Sequence, residues 1–278
     1  MRPLSLTPVF LSLLVPFFAT QATAEPAGQT VPAIEHTESA ELPVLIELFT
    51  SQSCSSCPRA EKLFAELSER DDLVVIEWHV DYWNTLVHGR DGRWADPVST
   101  RANTERQRDY NFALRDTGSV YTPQAVIAGY AETTGSRERA IEALINDAPR
   151  PYAKVDVTTN GTGVTVSVEP MPDAGEMQAE VMFVEMVSTY SNKIRGGENK
   201  GRTADSRNVA IAADTLGAWT GTEETYRANL HTAKANQCAV LVQEIGTGRI
   251  LGASYCPPMD PVDGDASSVK EDFIGAHP

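Results

Sequence analysis

The chain has 278 residues, 41% of them hydrophobic, with 38 acidic against 23 basic side chains and a formal net charge of −15. That hydrophobic share suffices for a packed core and excludes wholesale disorder, while the length allows one large domain or two small ones at roughly 100–200 residues per domain. The acidic balance excludes a global nucleic-acid-binding surface, because phosphate contacts need clustered Lys and Arg.

In chain order, residues 1–24 read as a signal peptide. Arg2 gives a positive start, Val9 to Ala19 is apolar apart from Ser12 and Pro16, and Ala22-Thr23-Ala24 is a small-x-small cleavage site. This is the one segment that approaches the ~20 apolar residues of a membrane span. The expectation is a periplasmic or secreted protein with no membrane span after cleavage; an uncleaved anchor is the alternative. Residues 25–41, rich in Ala, Pro, Thr and Glu, read as a flexible lead-in, and residues 257–278 as a disordered acidic tail.

Between these ends the pattern changes once, at Pro149-Arg150-Pro151. Residues 42–150 alternate apolar strands (44–49, 73–78, 124–128) with helices (57–68, a weaker polar one over 99–115, and 136–145), which argues for an α/β layer. Residues 84–98 hold Gly89, Gly92 and Pro97 and read as a surface excursion. Residues 151–256 read as β: a hairpin around Asn160-Gly161, a central strand over 179–188, and a last pair, 239–245 and 250–255, around Gly246-Thr247-Gly248.

Cys54-Ser55-Ser56-Cys57-Pro58 stands where an apolar strand gives way to a helix. A thiol there meets unpaired backbone N–H groups and the positive end of the helix dipole; both favour the thiolate, the form that attacks disulfides. Cys54 is expected as the attacking, more exposed thiol and Cys57 as the buried resolving one. The uncharged Ser-Ser spacer predicts a milder pKa depression than a His-bearing spacer would. A structural clip and a metal site are the alternatives. Zinc needs four ligands, and haem attachment needs His where Pro58 stands. Cys238 and Cys256 sit at matching positions of a hairpin centred on Thr247. They predict a structural cross-strand disulfide of the non-hydrogen-bonded type, with Cα atoms about 4.5 Å apart; a second redox pair is the alternative.

Other residues are candidates to support the dithiol. Thr122-Pro123 precedes the third apolar strand, where a Pro facing a dithiol is expected to be cis and to expose a backbone edge to substrate; an ordinary trans Pro at a strand start is the alternative. Glu47, inside an apolar strand, is a candidate proton acceptor for Cys57, unless it reaches solvent at the sheet edge. His79, Asp81 and Trp83 alternate at the end of the second strand and are expected to share one face as substrate-binding residues. His79 either holds a proton or metal near the sulfurs or is a hydrogen-bonded strand-end residue. The basic, Gly-rich stretch Lys193 to Arg202 either holds an anion or is a solvated turn.

Over residues 43–148 this succession of strand, Cys-Ser-Ser-Cys-Pro, helix, strand, Thr122-Pro123, strand and helix resembles thioredoxin-fold proteins, and Glu47 falls near the place where that superfamily often has a buried acid. The chain is also similar to a secreted bacterial family named domain of unknown function 1223. The stretches that carry this are Glu47-Leu48-Phe49-Thr50-Ser51-Gln52, the Cys-Ser-Ser-Cys-Pro motif, His79-Val80-Asp81-Tyr82-Trp83, Val120-Tyr121-Thr122-Pro123-Gln124 and Gly197-Glu198-Asn199-Lys200-Gly201-Arg202. The resemblance implies an α/β, thioredoxin-like domain (42–150) followed by a smaller β-rich, sandwich-like domain (151–256). The 66 residues from Cys57 to Pro123 make 84–115 an insertion. The expected function is thiol–disulfide exchange through Cys54 and Cys57 with a protein or small-molecule substrate and a redox partner, without an organic cofactor. A copper-binding chaperone using Cys54, Cys57 and His79, or a non-catalytic binding module, is the alternative.

Overall fold

In the computed structural model, residues 41–86, 94–171, 177–232 and 234–259 are described. The signal peptide, the lead-in up to residue 40 and the tail from residue 260 lie outside the described residues. Among the described residues, no helix is long and apolar enough to cross a membrane.

The first half runs β1 (Val44–Thr50), α1 (Pro58–Leu67), β2 (Leu73–His79), a short α2 (Trp83–Leu86), α3 (Arg101–Arg115), β3 (Gln124–Ile127), β4 (Ala131–Thr134) and α4 (Glu138–Asp147). Every residue of β1 and β2 is buried, which is why both read as near-continuous apolar runs. α1 starts with Pro58, whose missing N–H costs nothing at a helix start, and buries Ala60, Phe64 and Leu67 along one face. α3 starts where the Thr100 hydroxyl accepts from the Asn103 N–H at 3.0 Å, and its buried seam is polar: Asn103, Thr104, Gln107, Tyr110 and Asn111. A polar seam carries no hydrophobic period, so this helix reads weakly in the sequence.

The second half is β5 (Val155–Asn160), β6 (Gly163–Val168), β7 (Ala179–Lys193), β8 (Thr203–Trp219), β9 (Glu224–Asn229), β10 (Gln237–Glu244) and β11 (Ile250–Tyr255). The sequence reading missed β4, β8 and β9, whose exposed or half-exposed residues blur the alternation.

The two halves are not separate domains. One eight-stranded sheet runs β11-β10-β7-β8-β2-β1-β3-β4, and a three-stranded sheet, β5-β6-β9, stands apart from it. β8 joins the halves by lying parallel to β2, with Glu77 opposite Val209. A strand buried on both faces still has a hydrogen-bonding edge to satisfy; on the edge that β1 leaves open, β8 meets β2 at Glu77, while the Val75 N–H donates to the Tyr255 hydroxyl and the Val75 carbonyl accepts from Tyr255 and from Asn208 Nδ2. The expected division at 150/151 is corrected accordingly; the described residues belong to one compact unit. Val164, Val166 and Val168 of β6 pack with Val181 and Phe183 of β7 and with Val240 and Val242 of β10. The molecule is thus a mixed α/β fold dominated by a large, mostly-strand sheet with few helices.

Alternation along β1 and β2 decides what each face carries. Ile46, Leu48, Leu73 and Val75 pack under α1 and α4. Leu45, Phe49, Val74, Ile76 and Trp78 face the other way, towards Tyr110 of α3.

Cys238 and Cys256 are bonded, with Cα atoms 5.2 Å apart. The Cys256 N–H donates to the Cys238 carbonyl at 2.8 Å, so the pair lies on the hydrogen-bonded side of the ladder and is wider than the non-hydrogen-bonded spacing expected. Closing an 18-residue separation restricts the unfolded chain. Replacing both cysteines by Ala is therefore expected to lower stability by about 3 kcal/mol in urea denaturation of the oxidised protein, and to leave the reactivity of Cys54 unchanged.

Candidate functional site

Cys54 and Cys57 are free thiols in the turn that leads from β1 into α1. The Cys57 N–H donates to the Cys54 carbonyl at 3.2 Å, and the Cys57 carbonyl accepts from Ala60 and Glu61 as the first helical turn closes. Both residues are buried, at 1% and 0% exposure. The Thr122–Pro123 peptide bond is cis. The Cys54 sulfur lies 3.9 Å from the Thr122 carbonyl oxygen and 3.2 Å from the Ser56 hydroxyl. Trp83 Nε1 donates to Thr122 Oγ1 at 2.6 Å, which leaves the threonine hydroxyl proton to turn towards Cys54.

The two sulfurs are pushed apart in acidity. The Cys54 thiol is lowered to about 6, chiefly because Cys57 donates a hydrogen bond to its thiolate; burial opposes this, and the Ser56 and Thr122 hydroxyls add to it. Burial first, then the neighbouring Cys54 sulfur, pushes Cys57 well above the ordinary thiol value. Near neutral pH the pair is one thiolate and one thiol.

The cover over Cys54 is the basic, Gly-rich stretch, which docks on the dithiol turn. Asn199 Nδ2 donates to the carbonyls of Gln52 (3.1 Å) and Cys54 (2.7 Å), the Glu198 N–H donates to the Ser53 carbonyl (3.1 Å), and the Glu198 carboxylate accepts from the Ser55 N–H (2.9 Å). The Ser55 hydroxyl first, and then this N–H, hold the Glu198 carboxyl below its ordinary value. Gly197, at φ +71, makes the approach possible: a Cβ there would come within 2.6 Å of Ser53 Cβ and 2.8 Å of its Cα. The solvated-turn reading is corrected.

Glu47 does not serve Cys57. It belongs to the opposite face of β1 from Thr50, and its oxygens are taken by Arg106 Nε at 2.7 Å and the Tyr110 hydroxyl at 2.5 Å. Arg106 also donates to Gln243 Oε1 at 3.0 Å and stacks over the Trp78 and Tyr110 rings. The carboxyl on the dithiol side is Glu61, one turn into α1. It accepts from Thr50 Oγ1 at 2.7 Å and adds a repulsive charge near Cys57, while the Thr50 hydroxyl favours the Cys57 thiolate.

His79, Asp81 and Trp83 do not share a face, because β2 ends at His79 and α2 begins at Trp83. His79 is fully buried on the dithiol side, with Nδ1 2.8 Å from Asp96 Oδ2 and Nε2 4.0 Å from Glu77 Oε2. Asp96 arrives from the stretch expected to be a surface excursion, and it also accepts from the Gln52 N–H at 2.8 Å. Asp81 turns away from the sulfurs and accepts from Thr104 Oγ1 at 2.6 Å, anchoring α3. Trp83 reaches the site through Thr122.

Among the described residues, the grouping of metal-ligating side chains is Glu185, Asp214 and His231, not Cys54, Cys57 and His79. The Glu185 carboxylate there is already engaged by the N–H groups of His231 and Thr232 and by the Thr232 hydroxyl.

Sequence reasoning missed Thr50, Glu61, Glu77, Asp96, Glu198 and Asn199 as part of this site. Glu77 carried the same signal as Glu47, an acid inside an apolar strand. The parity of Thr50, Glu77 and His79 against Glu47 would have separated the two faces.

Fold and site together define a mixed α/β protein with a buried, asymmetric CxxC dithiol at a strand-to-helix turn, beside a cis proline. A family model described as "Protein of unknown function (DUF1223)" matches residues 45–243, and the chain belongs to that family. Among solved structures, the chain is similar to Protein AGR_C_4864 from Agrobacterium tumefaciens, at 27% identity over 78% of this chain and 94% of that one, with a TM-score of 0.65. It is also similar in fold to HBP35 of Porphyromonas gingivalis, at 16% identity over 86% of this chain and 80% of that one, with a TM-score of 0.53. No curated protein matches the chain.

Three outcomes follow from this geometry. Alkylation of the fully reduced protein by iodoacetamide is expected to modify Cys54, with a rate that rises through a midpoint of about pH 6, and to spare Cys57. Cys57→Ala removes the strongest donor to the thiolate and moves that midpoint up by about one unit or more. Arg106→Met leaves Glu47 buried without its cation, and is expected to cost about 3–5 kcal/mol in denaturant titration, more than Glu47→Gln and Arg106→Met made together.

Proposed function

We propose that the protein is an exported thiol–disulfide oxidoreductase whose first half is thioredoxin-like. The observation that carries the reading is the pair of sulfurs at the start of α1, with the cis Thr122–Pro123 bond beside Cys54. The acidity difference between the sulfurs supports a division of labour. Cys54 attacks a substrate disulfide as thiolate, forming a mixed disulfide and releasing one substrate sulfur as a thiolate that takes up a proton. Cys57 then loses its proton and attacks Cys54 Sγ. The Cys54–Cys57 bond forms, the second substrate sulfur leaves with the electron pair of the broken bond, and the substrate has gained two electrons from the dithiol. The reverse sequence oxidises a substrate dithiol. The backbone edge at Thr122 is the place for an extended substrate segment to pair.

Export is supported by the pattern of residues 1–24 and by the Cys238–Cys256 disulfide, since such bonds persist in oxidising compartments. The copper-chaperone alternative is less supported, because among the described residues the ligand atoms of Cys54, Cys57 and His79 are not gathered into one group.

The reading is tested by equilibrating the full chain with glutathione redox buffers and by mixing the Cys57→Ala variant with a disulfide-containing protein. The expected result is a reversible two-electron equilibrium and an accumulating mixed disulfide at Cys54. Stoichiometric Cu(I) uptake with no exchange would overturn it.

A further inference from the structure

A cavity of about 250 Å³ lies where the basic, Gly-rich stretch meets α1. One wall is the first turns of α1, the other is the end of that stretch with the start of β8, and Gln52 contributes from the loop before Cys54.

Gln52 is 1% exposed, and its polar atoms are bonded with one exception. Its N–H donates to Asp96 Oδ2, its carbonyl accepts from Asn199 Nδ2, and its side-chain oxygen accepts from Asn192 Nδ2 at 3.0 Å. Nε2 has no partner. A buried N–H group without an acceptor is costly, so a residue otherwise so fully bonded points to an acceptor arriving from the cavity it lines.

The charges around the cavity favour an acceptor that is negative. Arg202 Nη1 donates to Asn199 Oδ1 at 3.1 Å, a neutral partner that does not offset the guanidinium charge. Lys62 stands 3.6 Å from Glu66 in an exposed pair, which binds its charge weakly. Arg207 and Asp205 offset each other at 2.8 Å. The remaining acid, Glu61, is bonded to the Thr50 hydroxyl, and burial raises its carboxyl above the ordinary value, so it opposes an anion less than an exposed acid does. In a chain with a formal net charge of −15, a cleft whose unspent groups are a cation and an N–H donor is a local reversal of the field.

We propose that this cavity binds a small organic carboxylate, whose oxygens accept from Gln52 Nε2 and pair with Arg202 while its aliphatic body lies against Ala65, Ile194 and Ala204. A single amide spans the two polar partners: Asn199 donates to the Gln52 carbonyl and accepts from Arg202. The planar guanidinium matches a planar carboxylate. The apolar part of the wall has no use for a bare inorganic ion, and it suits a short carbon chain. At ~30 Å³ per water, the volume holds roughly eight non-hydrogen atoms, the size of a four-carbon dicarboxylate. Within the basic stretch and its end, the Arg202 side chain and not the glycine backbone supplies the anion site. The proposal goes beyond the oxidoreductase reading and does not depend on it, since no step of it involves a sulfur.

The test is isothermal calorimetry of the full chain near neutral pH, in a buffer free of carboxylate and phosphate. The probes are succinate, inorganic phosphate and, as a cation of similar length, 1,4-diaminobutane. Succinate is expected to bind once per chain with a dissociation constant in the micromolar to millimolar range, more weakly as salt rises. Phosphate binds less tightly than succinate, and the diamine does not bind. Arg202→Gln, which keeps a donor and drops the charge, weakens succinate by about tenfold or more, and Gln52→Met weakens it as well. Arg101→Gln, at a side chain 82% exposed on α3, leaves binding unchanged. Arg202 is a surface side chain, so its variant decides the matter even if Gln52→Met fails to fold. Absence of succinate binding, or binding that Arg202→Gln leaves intact, overturns the proposal. Phosphate binding more tightly than succinate overturns the choice of an organic carboxylate.

Discussion

Glu61, Glu77, His79 and Asp96 are held out of water on the face of the sheet that α1 covers, and this burial constrains everything around the dithiol. Ionisable groups removed from solvent must neutralise, pair or retain protons. Each of these options needs a specific neighbour in a specific place. Asp96 therefore has to arrive from beyond α2 to meet the His79 ring, and Thr50 has to occupy the last position of β1 to bond Glu61. The same Asp96 oxygen accepts from the Gln52 N–H, so the loop that carries Cys54 is tied to the cluster.

The opposite face of the same two strands solves the problem differently. Glu47 is paired in the core with Arg106, which reaches it from α3, and the Tyr110 hydroxyl and the Gln243 amide complete the arrangement. One carboxyl is answered by a cation and aromatic faces, while another, thirty positions further along, faces an imidazole and other acids. These are two environments for one residue type in adjacent strands, and the period-two alternation of the strand assigns each acid to its side.

The second half of the chain is part of the site rather than an appendage. β8 meets the edge of β2 at Glu77, and the stretch between β7 and β8 folds back over the dithiol turn, where Asn199 and Glu198 take up backbone groups that a tight turn leaves without partners. A turn that presents a reactive sulfur cannot satisfy all of its own carbonyls and N–H groups. The cover supplies the missing bonds, and Gly197 is the residue that lets the two backbones approach.

The sequence alone determined the elements whose signals are local. These are the continuous apolar runs of β1 and β2, the Cys-Ser-Ser-Cys-Pro motif at a helix start, the Asn160-Gly161 hairpin, and the register that sets Cys238 opposite Cys256. Only the tertiary structure decided that the two halves share one sheet, that Glu61 and not Glu47 stands by Cys57, and that a basic loop some 140 residues away lies over Cys54. The reason is physical: period and turn chemistry are written in neighbouring residues, whereas edge pairing, charge compensation and the closing of a cover depend on groups that chain topology alone brings together.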